Sequence, residues 1–520
     1  MSKKKLKALP RIQRNGGCYQ LMVDGQPQIL LAVEMQNSSA SSLEFLEKQG
    51  CWKQLKSYNC NAALVPVCWE QVEPEEGHFD FSLVDGIIRA ARRHGLRLVL
   101  LWFGTWKNAT SSYAPAWVKT DLQRFPRCQL AGGRTSRTIS PLSQEACQAD
   151  SRAFARLMEH IHKIDRAEQT VLMVQVENEV GLLGAERDFS PEAEQVFRQP
   201  VPAELLHHLR DHWDELYPTL RENMDRAFLG KKGSWGKVFH ALAGEAFMAW
   251  HFARYIENVV AAGKAAYGLP MFVNCWLDSG SPPGVFPSGG PVAKMLDIWH
   301  TAAPSVDAFA PDIYCPEFAQ VCTDFNRPFN PLIVPESLPE KAALQAFWAV
   351  AQGKSLCFAP FGADSPHCWP DWNWQSEDLN DTYALLREMM PLITAAQAEG
   401  RIRGVLQASE METRLQLGDY QLCVHFNHKS GAGWPPAAGL ILQLGPDEFV
   451  VAGRGFSVAF APAPDRGGNA DFLWAEEGRF RQGKWMAERR LNGDDTWEFS
   501  LRLTNGPELS CRRGKLYRYP

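Results

Sequence analysis

The chain has 520 residues, of which 45% are hydrophobic and 22% are charged, and its formal net charge is −5. This length exceeds one ordinary domain, so two or three domains are expected. Acidic and basic residues are mixed throughout, which argues against a nucleic-acid-binding face, and no apolar run approaches the roughly 18 residues of a membrane span.

The N-terminus is basic but lacks the features of a secretory signal, because polar residues follow the lysines of residues 1–7 where an apolar segment would be needed. The 13 cysteines are odd in number and form no CxxC pair. Several, such as Cys275 and Cys423, lie in apolar runs, which is typical of buried cysteines in a reduced compartment. We therefore expect a cytoplasmic protein without a metal or cofactor, whose residues 1–17 form a mobile tail.

Eight apolar runs alternate with helical segments over residues 18–402. The predicted strands are 29–33, 63–67, 96–103, 171–176, 271–273, 308–310, 332–334 and 355–358, and predicted helices include 81–94, 149–164, 244–262, 290–303, 338–351 and 381–398. This alternation predicts an α/β fold, a (β/α)8 TIM barrel. An open doubly wound sheet is the alternative, and it is disfavoured because no glycine-rich phosphate turn follows the first strand.

Residues 181–243 form a connection longer than usual between the fourth strand and its helix, with a helical pattern of their own over 202–216. An insertion at this place is expected to wall the mouth of the barrel.

Residues 403–520 have a different hydrophobic pattern from the predicted barrel. Short alternating segments are separated by turn signals such as Gly418-Asp419 and Asn492-Gly493, which predicts a small all-β sandwich. The predicted strands are 413–417, 420–425, 439–444, 448–451, 456–460, 484–490 and 497–503.

Two of the barrel strands run directly into glutamates. Glu177, Asn178 and Glu179 follow the fourth strand, and Glu336 follows the seventh. The carboxyl ends of barrel strands carry active sites, and a pair of carboxyl groups across such a site is what glycoside hydrolysis requires. We expect Glu179 to be the general acid/base and Glu336 the nucleophile.

The geometry of an ideal strand leaves this assignment open. Glu177 and Glu179 would share one face and Asn178 the other, so Asn178 and Glu179 reach one pocket only if the pleat breaks at the strand end. Glu177 therefore remains a rival for the pocket. Other polar and aromatic residues at the strand ends are expected to bind substrate, and they are Glu34, Asn37, Trp69, Trp106, Asn108, Asn178, Asn274, Trp276, Tyr314 and Asp364.

Several motifs resemble those of glycoside hydrolase family 35. The segment 175–181, Gln-Val-Glu-Asn-Glu-Val-Gly, is similar to the acid/base motif of family 35 β-galactosidases, and 69–81 resembles a second-strand motif shared by families 35 and 42. The segments 101–108, 113–118 and 124–127 resemble a bacterial subgroup with a C-terminal β-domain. Val180 departs from the tyrosine common in the family, and Val33-Glu34-Met35 from the more frequent Gly-Glu-Leu.

The resemblance implies a retaining exo-β-galactosidase with a covalent galactosyl-enzyme intermediate, and it favours Glu179 over Glu177. The expected partner is a carbohydrate, a β-galactoside, with no nucleic acid and no membrane. The oligomeric state is left open, with a homodimer as one option. Two alternatives are a retaining β-glycosidase with another sugar preference and a non-catalytic carbohydrate-binding barrel.

Overall fold

A computed structural model describes residues 7–230, 232–365, 376–408, 410–429 and 436–520. The part of the chain up to residue 399 contains a parallel barrel and its helices, and the remainder is almost entirely antiparallel β structure. None of the helices in these ranges is both long and apolar enough to span a bilayer.

Eight parallel strands form the barrel, as the sequence predicts. They are Leu30–Leu31, Ala62–Cys68, Arg97–Lys107, Val171–Asn178, Met271–Trp276, Ala308–Ile313, the pair Ile333–Val334 and Glu336–Ser337, and Cys357–Phe358. Proline at 335 divides the seventh strand, because it has no N–H to donate. Its first part pairs with the eighth strand and its second with the sixth. The eighth strand pairs with the first, and Glu34 bridges to Leu64 of the second strand, which closes the barrel.

Helices cover the outside of the barrel. Their apolar faces explain this packing, since helix Ser82–Arg93 buries Val84, Ile87, Ile88 and Ala91 at helical spacing. The helices of the barrel are Leu43–Gln49, Cys51–Ser57, Trp69–Val72, Ser82–Arg93, Ala116–Thr120, Gln144–Asp165, Ala243–Ala266, Leu296–Ala302, Phe318–Phe325, Ala342–Ala351 and Ser376–Glu399. The insertion after the fourth strand contains Pro191–Phe197, Ala203–Asp211, Pro218–Glu222 and Trp235–Phe239.

A small antiparallel sheet precedes the barrel and corrects one expectation. Arg11–Asn15 pairs with Cys18–Val23, which pairs with Gln26–Gln28. Residues 11–15 are therefore a strand, where the sequence predicts a mobile tail. Leu21 and Val23 pack against the inward-facing residues of the barrel strands, so burial of these two side chains holds the sheet in place.

The C-terminal domain consists of two antiparallel sheets around one apolar core. One sheet has the strand order Ile402–Leu406, Ala438–Gly445, Glu448–Arg454, Ser510–Tyr519, Asn469–Arg481 and Lys484–Leu491. The other has the order Glu412–Leu417, Tyr420–Phe426, Phe456–Pro462 and Ser500–Arg502. Cys423 alternates with the core residues Leu422 and Val424 and is half-buried on the outer face, which corrects the expectation of a buried cysteine.

Candidate active site

The inward-facing positions of the barrel strands are apolar over most of their length and become polar at the carboxyl ends. Leu30 and Ala32 precede Glu34 at the same alternation, Phe272 precedes Asn274, and Ala308 and Ala310 precede Asp312. The fold therefore delivers Glu34, Asn274 and Asp312 to one end of the barrel interior.

The fourth strand departs from this alternation. Glu177 would continue the inward series of Met173 and Gln175, but its φ is +61° and that of Glu179 is +45°. Non-glycine residues seldom adopt this left-handed region, and each costs on the order of 1–3 kcal/mol. The pleat thus breaks at the strand end, which is the condition under which Asn178 and Glu179 can face the same pocket.

Glu177 lies behind the barrel wall. Its carboxyl oxygens accept hydrogen bonds from the backbone N–H of Thr105 (3.1 Å) and Trp106 (2.6 Å). Burial and the neighbouring Asp150 raise the pKa of Glu177 well above its usual value. Glu177 therefore belongs to a set of buried groups between the third and fourth strands and the outer helices, and it does not compete with Glu179 for the pocket.

Four buried carboxyl groups meet at the barrel mouth, and we call them the mouth cluster: Glu34, Glu179, Asp312 and Glu336. One carboxyl oxygen of Glu179, one of Asp312 and one of Glu336 lie within 4.8 Å of one another. These four residues are only 0–6% exposed. A separation near 5 Å is typical of retaining glycosidases, whereas inverting enzymes hold the two groups about 6.5–9.5 Å apart.

Glu336 is surrounded by hydrogen-bond donors. The Tyr314 hydroxyl donates to Oε2 at 2.6 Å, and the side-chain amides of Asn178 and Asn274 are each 3.4 Å from Oε1. Donors directed at a carboxylate stabilise its charged form. This is the environment that a nucleophilic carboxylate needs.

Glu179 has the opposite environment. Burial, followed by the charge of Glu336, raises its pKa to about 7, while Lys107 and Asp312 act in the other direction. The backbone N–H of Glu179 donates to Asn274 Oδ1 at 3.0 Å, which fixes the turn that carries it. A carboxyl group with this pKa is protonated below neutral pH and can act as a general acid.

Two of the four carboxyl groups have oxygens that are not satisfied within the described residues. Both carboxyl oxygens of Glu34 and Oδ1 of Asp312 are buried without an amide or hydroxyl donor from this part of the chain, and Glu34 faces the carboxyl group of Glu336. Burial and the neighbouring Glu336 raise the pKa of both groups well above their usual values. Acids held this close favour the protonated form of one another, and a sugar hydroxyl can donate to or accept from such groups.

Lys107, which like Trp106 and Asn108 is a strand-end residue expected near the pocket, belongs to the site, and so does Asp312, which the sequence analysis does not single out. Lys107 ends the third strand, is 4% exposed and donates to Asn178 Oδ1 at 2.9 Å. Asp312 accepts from the Asn274 amide at 2.8 Å. The sequence feature that marks such site residues is a charged residue inside or directly after an apolar strand. A charged residue that is buried there must be paired with other polar groups.

The structure places the remaining predicted residues in three different settings. Trp276 and Tyr314 are 42% and 37% exposed beside the mouth cluster, and Trp276 is paired with Asp312 in the strand ladder. Asn37 is half-buried after the first strand, and its Oδ1 has no partner among the described residues. Asn108 is exposed.

Trp69, Trp106 and Asp364 are used within the protein and not in the pocket. The Trp69 indole donates to Glu73 at 2.8 Å, and that of Trp106 donates to the Ile139 carbonyl at 3.0 Å. Both rings are fully buried. Asp364 accepts from Gln36 N–H and Ser39 Oγ and so ties the eighth strand to the first. The expectation that these three residues bind substrate is replaced by a structural role.

Comparison with known proteins agrees with this chemistry. Residues 48–223 match the sequence model of the glycoside hydrolase family 42, described as β-galactosidase. Residues 379–502 match a domain of unknown function, DUF5597. The chain therefore carries a glycoside hydrolase domain. The match is to family 42, so it does not support the finer resemblance to family 35. No curated protein matched the chain.

Among solved structures, a β-galactosidase from Bacillus circulans sp. alkalophilus is similar at 14% identity and a TM-score of 0.48, over 70% of this chain and 57% of that one. A β-galactosidase from Rahnella sp. R3 is similar at 15% identity and a TM-score of 0.46, over 74% and 58% of the two chains. The present chain thus spans less than two thirds of the length of these proteins. Likeness at this level carries no argument about activity.

Proposed function

We propose that the protein is a retaining exo-β-galactosidase that removes terminal β-D-galactose from oligosaccharides or other galactosides. The observation that carries this proposal is the approach of Glu179 and Glu336 to within 4.8 Å in a buried site where burial and Glu336 raise the pKa of Glu179. The preference for galactose is supported by the family 42 match.

In the first step, Glu336 attacks the anomeric carbon while the Glu179 carboxyl gives its proton to the glycosidic oxygen. The bond to the leaving group breaks and an ester forms between the sugar and Glu336. In the second step, the Glu179 carboxylate takes a proton from water, and the resulting hydroxide oxygen displaces Glu336 from the anomeric carbon. Two inversions give net retention.

The surrounding residues have matching tasks. Tyr314 donates to Glu336, which orients the nucleophile. Asn178 lies between Glu336 and Lys107, where its amide can also donate to the sugar 2-hydroxyl, a hydrogen bond that strengthens in the transition state. Glu34 has two unsatisfied oxygens among the described residues and is placed to bind further sugar hydroxyls.

The test is hydrolysis of nitrophenyl β-galactoside by the wild type, Glu179→Ala and Glu336→Ala, with and without azide. We expect both variants to lose activity and azide to restore it. Glu179→Ala should then release β-galactosyl azide and Glu336→Ala should release α-galactosyl azide. The same anomer from both variants would contradict the assigned roles.

A panel of other aryl glycosides separates the alternatives. Turnover of a glucoside, fucoside or arabinoside in preference to the galactoside would keep the mechanism and change the substrate. A folded protein that hydrolyses none of them would support a non-catalytic carbohydrate-binding barrel.

A further inference from the structure

A cavity of about 600 Å³ is lined by residues that directly follow strand-end residues of the candidate active site in the sequence. It is lined by the loops that follow the fifth and sixth barrel strands and by Tyr217 of the insertion. Leu277 and Cys315 both line it, and each directly follows one of the two exposed aromatic residues of the mouth, Trp276 and Tyr314. The cavity therefore begins one residue beyond the side chains that flank the mouth cluster.

The floor of this side cavity is held by ion pairs around a buried lysine. Lys294 Nζ lies 3.0 Å from Asp278 and 3.2 Å from Glu245, and the Lys294 side chain is only 10% exposed. Glu245 is fully buried, and burial raises its pKa to about 7 against the opposing effect of Lys294. This triad ties the partly exposed Asp278 to Glu245 on helix Ala243–Ala266 and so restrains the Asp278 loop.

The wall opposite the floor combines an aromatic ring with polar groups. Asp324 accepts from the Gln320 amide at 2.9 Å, and the Tyr217 hydroxyl lies 3.4 Å from its other oxygen. Tyr217 is half-buried and Gln320 is exposed. An aromatic face next to amide and carboxylate groups suits a sugar, whose C–H face is apolar and whose hydroxyl rim donates and accepts hydrogen bonds.

The charge of the cavity restricts the ligand further. Asp278, Glu317 and Asp324 are the acidic residues among its described lining, and Lys294 is the basic one. Because Lys294 is already paired with Asp278, Glu317 and Asp324 leave the described lining with a net negative charge, and the charge of Arg327 reaches Tyr217 from outside the lining. An anionic ligand would be repelled, and neutral hydroxyl donors would be favoured.

We propose that the side cavity is a leaving-group subsite that binds the one or two neutral sugar units that depart when the terminal galactose is transferred to Glu336. This inference rests on the proposed function and adds the substrate class, which is a neutral galactosyl oligosaccharide or a galactose-terminated side branch. Its volume lies within the range of about 300–1,000 Å³ that is typical of small-molecule sites. Binding energy from such remote units lowers the barrier when the leaving group is poor.

The experiment compares kcat/KM for nitrophenyl β-galactoside with that for a neutral β-galactosyl trisaccharide. Tyr217→Ala and Gln320→Ala are expected to lower the trisaccharide value about tenfold, as loss of about one stacking contact or hydrogen bond would. Both should leave the nitrophenyl value unchanged. Tyr517→Ala, an exposed tyrosine of the C-terminal domain, is the matched control and should change neither.

Equal losses on the two substrates, or no loss on the trisaccharide, would overturn the subsite while leaving the proposed function intact. A wild type without activity on either substrate would overturn the proposed function itself. Tyr217→Phe is the control for misfolding of Tyr217→Ala. It keeps the aromatic ring and should retain most of the trisaccharide activity.

A second comparison tests the charge argument. The wild type should prefer the neutral trisaccharide over one in which the reducing-end sugar is a uronic acid. The double variant Glu317→Gln/Asp324→Asn should narrow this preference, because it removes the two exposed or half-buried carboxylates that oppose the anion. A preference that is unchanged in the double variant would contradict the assignment.

Discussion

Glu177 and Glu179 are two residues apart on one strand end, and both are buried with a left-handed backbone. Behind the barrel wall, Glu177 accepts two backbone N–H groups, while Asp150 accepts from the Trp102 indole (2.9 Å) and the Thr105 hydroxyl (2.8 Å). We call Glu177, Asp150, Thr105 and Tyr255 the back network.

The mouth cluster has the same residue type and a similar burial, but Glu34 and Asp312 retain unsatisfied oxygens within the described part of the chain. This difference in hydrogen bonding between the two sets of buried acids indicates which set takes part in catalysis. A buried acid whose hydrogen bonds are complete stabilises the fold, whereas acids crowded together at the mouth raise one another's pKa and so prepare a proton donor. The predictions below test this contrast.

The largest effect is expected from matched amide substitutions at the two glutamates. Glu179→Gln removes the proton donor and should lower kcat/KM for an oligosaccharide galactoside by about 10²–10⁴. Glu177→Gln should keep kcat/KM close to the wild-type value, since Glu177 faces away from the pocket. Its effect should appear instead in the free energy of unfolding, because the amide presents an N–H₂ group to one of two backbone donors. Similar kinetic losses in both variants would refute the contrast.

The back network should be intolerant of added volume. A Cβ on Gly104 would lie 2.6 Å from Glu177 Oε1 and 2.9 Å from Asp150 Oδ1, so Gly104→Ala should lower the free energy of unfolding by about 1–3 kcal/mol. Gly236→Ala is the control, because no heavy atom of the described residues lies within 4 Å of its Cβ position. Denaturant unfolding of both variants is the measurement, and equal destabilisation would count against the packing argument.

The mouth cluster should gain stability when an acid is removed. Burial and the nearby acids raise the pKa of Glu34 well above its usual value. Its contribution to stability is therefore fully present below about pH 4, where the unfolded group is protonated, and is lost as the pH rises through the folded-state pKa. Glu34→Gln should thus be more stable than the wild type at pH 8, by about 1–3 kcal/mol, and similar to it near pH 4.5, with reduced activity. A pH-independent difference in unfolding free energy would contradict this.

The smallest effect concerns the pH profile. With the pKa of Glu179 near 7, kcat/KM should fall as the pH rises through about 7, because the general acid loses its proton. Lys107 lowers this pKa, so Lys107→Met should raise it and move the alkaline limb to higher pH by up to about one unit. Lys119→Met, at a partly exposed lysine paired with Glu70, is the control. If the alkaline limb of kcat/KM moved to lower pH in Lys107→Met, the proposed direction of the effect of Lys107 on the pKa of Glu179 would be wrong.

The order of the barrel strands could be predicted from the sequence because each strand is a continuous apolar run. The hairpin at residues 11–23 could not be predicted, since Arg11–Asn15 is polar and is a strand only because it pairs with Cys18–Val23. Asn469–Arg481 and Ser510–Tyr519 were missed for a related reason. Their facing positions are held partly by ion pairs such as Arg512 with Glu477 at 2.6 Å, which an apolar alternation does not register.

The site was predictable to the level of residue types at strand ends. Glu179, Glu336, Asn178, Asn274 and Tyr314 come together because the carboxyl ends of parallel strands meet at one rim. The left-handed turns at Glu177 and Glu179 could not be derived from the strand pattern, and they decide which of the two glutamates faces the pocket. The sequence also does not distinguish an aromatic residue at the rim, such as Trp276, from one buried behind it, such as Trp106.

The central claim is that Glu336 becomes covalently bonded to the sugar, while Glu179 first donates a proton to the leaving group and then accepts one from water. The most direct measurement is to trap the intermediate with a 2-deoxy-2-fluoro-β-galactosyl fluoride and locate the label by peptide mass spectrometry. The fluorine slows both steps and the fluoride leaves readily, so the ester should accumulate and inactivate the enzyme. We predict one sugar per chain, attached to Glu336. A label on Glu34, Glu179 or Asp312, or hydrolysis with inversion and no label, would contradict the account.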